Sequence, residues 1–159
     1  TYPLMKRFTY WPQLFLGITF NYGLLLGWTS IMGEISIASV VLYLGAIFWT
    51  LGYDTIYGFQ DVKDDEIIGI KSTSLKFKKN SNVFLVSCYS IFIFSFLFIG
   101  ILMNFNEFYY LFTLLPIIHM FIYQLKGLRI NSPSNCLKIF KSNNFFGLLV
   151  LCNILIGKI

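Results

Sequence analysis

The chain has 159 residues, 57% of them hydrophobic and 12% charged, with a formal net charge of +5. An ordinary soluble domain carries about 25% charged residues, so there is too little polar surface here to keep the chain in water. The apolar residues also come in long blocks, which makes lipid the expected surroundings and excludes nucleic acid as the partner for the positive charge.

Thr1 opens the chain with no initiator Met, basic n-region or signal-like apolar stretch behind it, as expected of a chain whose upstream sequence is missing. A helix needs about 20 apolar residues to cross the hydrocarbon. Pro12–Ile31 is the first such block, with Pro at the first helical position. Ile35–Tyr53 is the second and carries no charge. The polar stretch Asp54–Asn82 follows, predicted as a loop at the inner face. Val83–Met103 is the third block, and Phe108–Leu125, with Pro116 and His119 inside it, is the fourth. His119 is either a functional polar group within the span or a partner for a carbonyl freed by Pro116. A second polar stretch, Lys126–Asn144, turns at Ser132-Pro133-Ser134. Phe145–Gly157 is short and reaches a fifth span, 143–157, by drawing in Asn143 and Asn144. The predicted fold is all-α, a polytopic transmembrane bundle forming one domain over 1–159. Cys88, Cys136 and Cys152 have no close spacing and read as free thiols acting as small hydrophobes.

Charge tests this threading. It puts Lys6, Arg7, Lys63, Lys71, Lys76, Lys78, Lys79, Lys126, Arg129, Lys138 and Lys141 on one side and only Lys158 on the other. The positive-inside rule makes the rich side cytoplasmic in a bacterial inner membrane, or matrix-facing in a mitochondrial one.

Five of the seven acids, Asp54, Asp61, Asp64, Asp65 and Glu66, fall between 54 and 66, where the second span reaches that basic side. If the helix of the second span continues through this window, Asp54, Tyr57, Asp61 and Asp65 share one stripe. Carboxylates so arranged repel unless a cation sits between them. Mg²⁺ takes one or two carboxylates plus waters and substrate phosphates, which suits so sparse a stripe. Ca²⁺ lacks its loop motif and Zn²⁺ its His and Cys ligands. A solvated acidic helix end explains the spacing equally well. Lys71, Ser72 and neighbouring hydroxyls follow, and Lys6, Arg7 and Tyr10 precede the first span on the same side. These cations suit an anion, or equally topology signalling and lipid headgroups.

The run Tyr2-Pro3-Leu4-Met5-Lys6-Arg7-Phe8-Thr9-Tyr10-Trp11-Pro12-Gln13 resembles the inter-helix signature of UbiA-type prenyltransferases. Tyr53-Asp54-Thr55-Ile56-Tyr57, Gln60-Asp61, Asp64-Asp65 and Gly69-Ile70-Lys71-Ser72-Thr73 resemble that family's second aspartate-rich motif. His119, Gln124 and the run Phe140-Lys141-Ser142-Asn143-Asn144 with Gly147 match the expected tail. Phe59 departs from the family, standing where the branch often has His. The resemblance implies a nine-helix bundle of which this chain supplies helices five to nine. The first motif, of Asn-Asp-x-x-Asp type, would lie upstream, so this part alone is expected to be inactive.

The nearest branch prenylates 4-hydroxybenzoate for ubiquinone. The substrates implied are therefore a polyprenyl diphosphate and 4-hydroxybenzoate, with Mg²⁺ as cofactor and membrane lipid as surroundings. Asp61, Asp65 and Asp54 are the expected catalytic residues, and with Asp64 the metal ligands. Lys71, Lys6, Arg7, Tyr10, Tyr57 and Ser72 are the expected substrate contacts. Phe15, Phe20, Tyr22, Trp28 and Trp49 are candidates for the prenyl path, or for ordinary packing. Another acceptor within the family, or an ion-binding or transporter subunit, are the competing functions.

Overall fold

The computed structural model describes residues 2–159, with side chains from Met5 onward; those of Tyr2, Pro3 and Leu4 lie outside the described residues. A short helix α1 (Tyr2–Phe8) leads into α2 (Pro12–Met32), α3 (Ile37–Gly58), α4 (Val62–Ile68) and α5 (Thr73–Lys76). Then come α6 (Ser81–Leu102), α7 (Glu107–Phe112), α8 (Leu114–Ile117), a π-helical stretch over Ile118–Leu125, α9 (Pro133–Lys141) and α10 (Asn143–Lys158). Among the described residues, five helical stretches are long and apolar enough to cross a membrane. The protein is an integral membrane protein built as an all-α bundle.

Local chemistry sets the helix ends. Pro12 opens α2, where its missing N–H costs nothing. Gly33 closes α2 in the left-handed region at φ 76°, and its N–H returns to the Thr29 carbonyl. Ser36 and Ser39 form a reciprocal capping box that starts α3. Asn106 caps α7 by accepting from the Tyr109 N–H. Beyond Pro116, which offers no N–H to the ladder, the helix widens into the π form. The last span is longer than its apolar block, because α9 and α10 follow one another with only Ser142 between them.

The core forms around α3, which packs against α2 on one side and α6 on the other. Leu51, Ile56, Leu85, Tyr89, Phe92, Phe96, Tyr109, Met120 and Phe146 join in one buried cluster. Gly52 admits the Tyr89 ring: a Cβ there would sit 2.6 Å from a ring carbon. Trp49 packs on Phe92 and Phe146 and donates its indole N–H to Asn143 Oδ1 at 2.9 Å, so it serves the core. By contrast Phe15, Phe20 and Tyr22 of α2 face outward.

The segment 54–82 is mostly helical, not a loop. α3 runs on past Tyr53 to Gly58, so Asp54 and Tyr57 belong to the long helix. The helix does not continue into the acidic window. Phe59, Gln60 and Asp61 turn back with i to i−3 bonds of 3.1–3.3 Å, and α4 starts at Val62. Phe59 and Val62 are both buried in the core, and seating them bends the chain. A single stripe through 54, 57, 61 and 65 is therefore replaced by two helices meeting at a turn.

Candidate active site

Asp61 occupies the N-cap position of α4, and its carbonyl accepts the Asp65 N–H at 2.8 Å. The two acids thus keep their one-turn spacing although the longer helix breaks before them. Asp65 turns into the fold and is 8% exposed, while Asp61 and Asp64 face outward. Gly69 ends α4 at φ 77°, a left-handed position that glycine takes without strain, and the Asp65 carbonyl accepts from both Gly69 and Ile70 N–H. This cap swings the chain toward α1, where the Lys71 N–H meets the Lys6 carbonyl at 2.8 Å.

α5 is then locked beneath. Ser72 caps it, accepting from the Leu75 N–H, so this hydroxyl is buried and used within the fold. Gln13 of α2, 3% exposed, accepts the Thr73 N–H at 3.0 Å. Thr55 and Thr73 hydroxyls meet at 2.7 Å, and Ser74 donates to the Thr55 carbonyl at 2.8 Å. Gly58 lets Ser74 come this near, since a Cβ at 58 would overlap the Ser74 hydroxyl.

A cleft of about 420 Å³ opens above this platform, lined by Tyr10, Asp65, Glu66, Gly69, Ile70, Lys71, Leu75 and Lys76. Lys71 Nζ stands 5.6 Å from the Tyr10 ring centre and Lys76 Nζ 4.6 Å from that of Trp11, so aromatic faces steady both cations. Lys6 is half-buried, and its charge acts on Asp54 and Asp65 alike. Burial pushes the Asp65 carboxyl above the usual carboxylate range; Lys6 opposes that push, and Asp61 and Asp64 add to it.

Among the described residues the only salt bridge is Lys78 to Glu66, at 2.8 Å. The carboxylates of Asp54, Asp61, Asp64 and Asp65 accept no side-chain or backbone hydrogen bond there. Also among the described residues, no three His, Cys, Asp or Glu side chains come close enough to enclose one ion. These carboxylates do not form a protein cage; an ion held here would be one such as Mg²⁺, which needs only one or two carboxylates and completes its shell with waters and phosphate oxygens.

The sequence-predicted residues divide accordingly. Asp65, Lys71 and Tyr10 share the cleft; Asp61, one turn before Asp65, and Lys6, whose charge acts on Asp65 and Asp54, are outside its lining. Arg7 is exposed, and Tyr57 packs on Phe140 of α9, 4.7 Å between ring centres, away from the cleft lining. Lys76 and Glu66 line the cleft, and the sequence marks Lys76 only as one more cation on the basic side. Gln13, Thr55, Thr73 and Ser74 position it, and nothing in their spacing signals that role.

A second polar cluster lies inside the bundle. The Tyr89 hydroxyl donates to Gln124 Oε1, and Gln124 Nε2 donates to Asn143 Oδ1 at 3.1 Å. Trp49 can only donate, so Asn143 must present its oxygen, and Gln124 must present its amide nitrogen to Asn143 and to His119 Nδ1 at 3.4 Å. His119 therefore has a side-chain partner, and among the described residues it makes no hydrogen bond to a backbone carbonyl.

Residues 1–150 match the family model described as the UbiA prenyltransferase family. The chain belongs to that family. It is 47% identical over 99% of its length to the mitochondrial 4-hydroxybenzoate polyprenyltransferase of Dictyostelium discoideum, covering 34% of that protein. It is 40% identical over 100% of its length to the human mitochondrial 4-hydroxybenzoate polyprenyltransferase, covering 43% of it. Against 4-hydroxybenzoate geranyltransferase 2 of Lithospermum erythrorhizon it is 39% identical over 99% of its length, covering 52%. The chain thus spans about a third to a half of the curated relatives it matches. No solved structure matches it. Within that family membership, the stretch 53–73 that resembles the aspartate-rich motif contributes Asp65, Glu66, Gly69, Ile70 and Lys71 to the lining of the cleft.

Proposed function

We propose that the full-length protein containing this chain transfers a polyprenyl group from its diphosphate to the ring of 4-hydroxybenzoate, in ubiquinone biosynthesis. The observation that carries this reading is the joining of Asp65, Lys71, Lys76 and Tyr10 in one cleft, in a chain alike throughout to proteins named for that reaction. Asp61 and Asp65, with Asp64 and Asp54, would hold Mg²⁺, which would supply positive charge to neutralise the diphosphate when bound. Lys71, Lys76 and Lys6 take the phosphate oxygens that the metal does not reach and stabilise the negative charge that builds as the allylic C–O bond breaks. The ring carbon beside the phenol oxygen attacks the allylic carbon, a C–C bond forms, and that ring position loses its proton.

The prenyl tail lies among apolar helix faces, with the exposed Phe15, Phe20 and Tyr22 of α2 available to it. The mitochondrial relatives and the sorting of cations support an inner mitochondrial membrane location with the cleft facing the matrix. The test is an acceptor panel on the full-length protein: 4-hydroxybenzoate should be prenylated in preference to homogentisate and dihydroxynaphthoate. Preference for either of the others would reject the acceptor and leave the diphosphate site standing.

A further inference from the structure

Two cavities run along one wall of the bundle and share Ile118 and Tyr123. The first, about 530 Å³, is lined by Leu115, Ile118, His119, Tyr123, Ser142, Phe145 and Leu149. The second, about 460 Å³, reaches the basic end through Ile122, Lys126, Asn135, Lys138 and Ile139. Together they form one groove that is apolar in its depth and cationic at its mouth. Neither Lys126 nor Lys138 makes a salt bridge among the described residues, and both are exposed. The stretch that carries them is uniformly basic: no Asp or Glu occurs after Glu107, while Lys126, Arg129, Lys138, Lys141 and Lys158 all do. The mouth is also held in shape: Asn135 accepts the Arg129 N–H at 2.7 Å and donates to the Gly127 carbonyl at 3.2 Å.

We propose that this groove binds an anionic phospholipid, with its phosphate between Lys126 and Lys138 and its acyl chains along Ile118, Ile122, Leu115 and Leu149. Charge complementarity selects the headgroup, since two unpaired ammonium groups at a membrane surface attract acidic lipid and a neutral lipid gains nothing from them. The apolar depth selects a chain-bearing molecule over free phosphate. Deeper on the same wall, His119 has Nδ1 engaged by Gln124, which leaves Nε2–H as the donor of the neutral ring for an ester carbonyl below the phosphate. The groove does not involve the acid-and-lysine cleft, and the inference does not rest on the reaction proposed above.

The test uses full-length protein in detergent, with retained lipid counted by native mass spectrometry after adding phosphatidylglycerol or phosphatidylcholine of the same chains. The expected result is retention of phosphatidylglycerol over phosphatidylcholine. The Lys126→Gln/Lys138→Gln variant should weaken that retention on the order of tenfold. Leu149→Trp, which fills the apolar depth and spares the charge, should weaken retention of both lipids. Equal retention of the two lipids by the natural protein, unchanged retention in the double variant, or displacement of phosphatidylglycerol by inorganic phosphate or farnesyl diphosphate would each overturn the proposal.

Discussion

The Lys71 backbone N–H donates to the Lys6 backbone carbonyl at 2.8 Å, tying the segment after α4 to the helix that precedes the first span. The bond brings into one place two stretches that are far apart in sequence and similar to different family signatures. It sets the cations of one beside the carboxylates of the other. Because it joins backbone to backbone, it survives substitution of either side chain, so the roles of Lys6 and Lys71 can be tested without dismantling the site.

Replacing Asp61 or Asp65 by Ala in the full-length protein is expected to abolish prenyl transfer, a loss of at least about 100-fold. Membrane insertion should be unchanged, because neither carboxylate accepts a hydrogen bond from the described protein. Product formation by isolated membranes, alongside the amount of integral protein, checks this.

Lys71→Gln is expected to raise KM for the prenyl diphosphate and lower kcat, leaving KM for the aromatic acceptor unchanged. A loss of about 10-fold to 100-fold in kcat/KM fits one charged contact to a leaving group. Steady-state kinetics with each substrate varied in turn reads the split.

Gly58→Ala is expected to destabilise by about 1–3 kcal/mol, because its Cβ would push Ser74 off the Thr55 carbonyl and loosen α5. Gln13→Leu removes the acceptor of the buried Thr73 N–H and should cost a similar amount, about 1–3 kcal/mol. Thermal unfolding of the purified proteins measures both, and activity should fall with them because α5 carries the floor of the cleft.

Asn143→Leu leaves the Trp49 indole N–H and the Gln124 amide without their shared acceptor inside the bundle. The expected cost is about 2–4 kcal/mol, more than for an isolated surface amide. A lowered thermal midpoint together with a shifted Trp emission maximum would show it.

The bundle itself was legible because lipid demands long uncharged blocks, and the blocks at Ile35–Tyr53 and Val83–Met103 are unbroken. The α3–α4 break was not legible. Asp61 and Asp65 suit a continuing helix locally, and only the burial of Phe59 and Val62 against distant residues overrides that preference. The pairing of His119 with Gln124 was hidden for another reason. Residues five apart diverge on an α-helix, and it takes the π geometry after Pro116 to bring them to one side. Asp65 and Lys71 were readable as an acid and a cation near one membrane face. Lys76 was not, because its place in the cleft comes from resting on Trp11, a contact that sequence distance conceals.

The direct measurement is calorimetric titration of geranyl diphosphate onto the full-length protein, with and without Mg²⁺, for the natural sequence and for Asp65→Ala. Binding should require Mg²⁺ in the natural protein and be lost in the variant. Binding by Asp65→Ala that keeps its strength and its dependence on Mg²⁺ would contradict the assignment of this cleft to the metal-bound diphosphate.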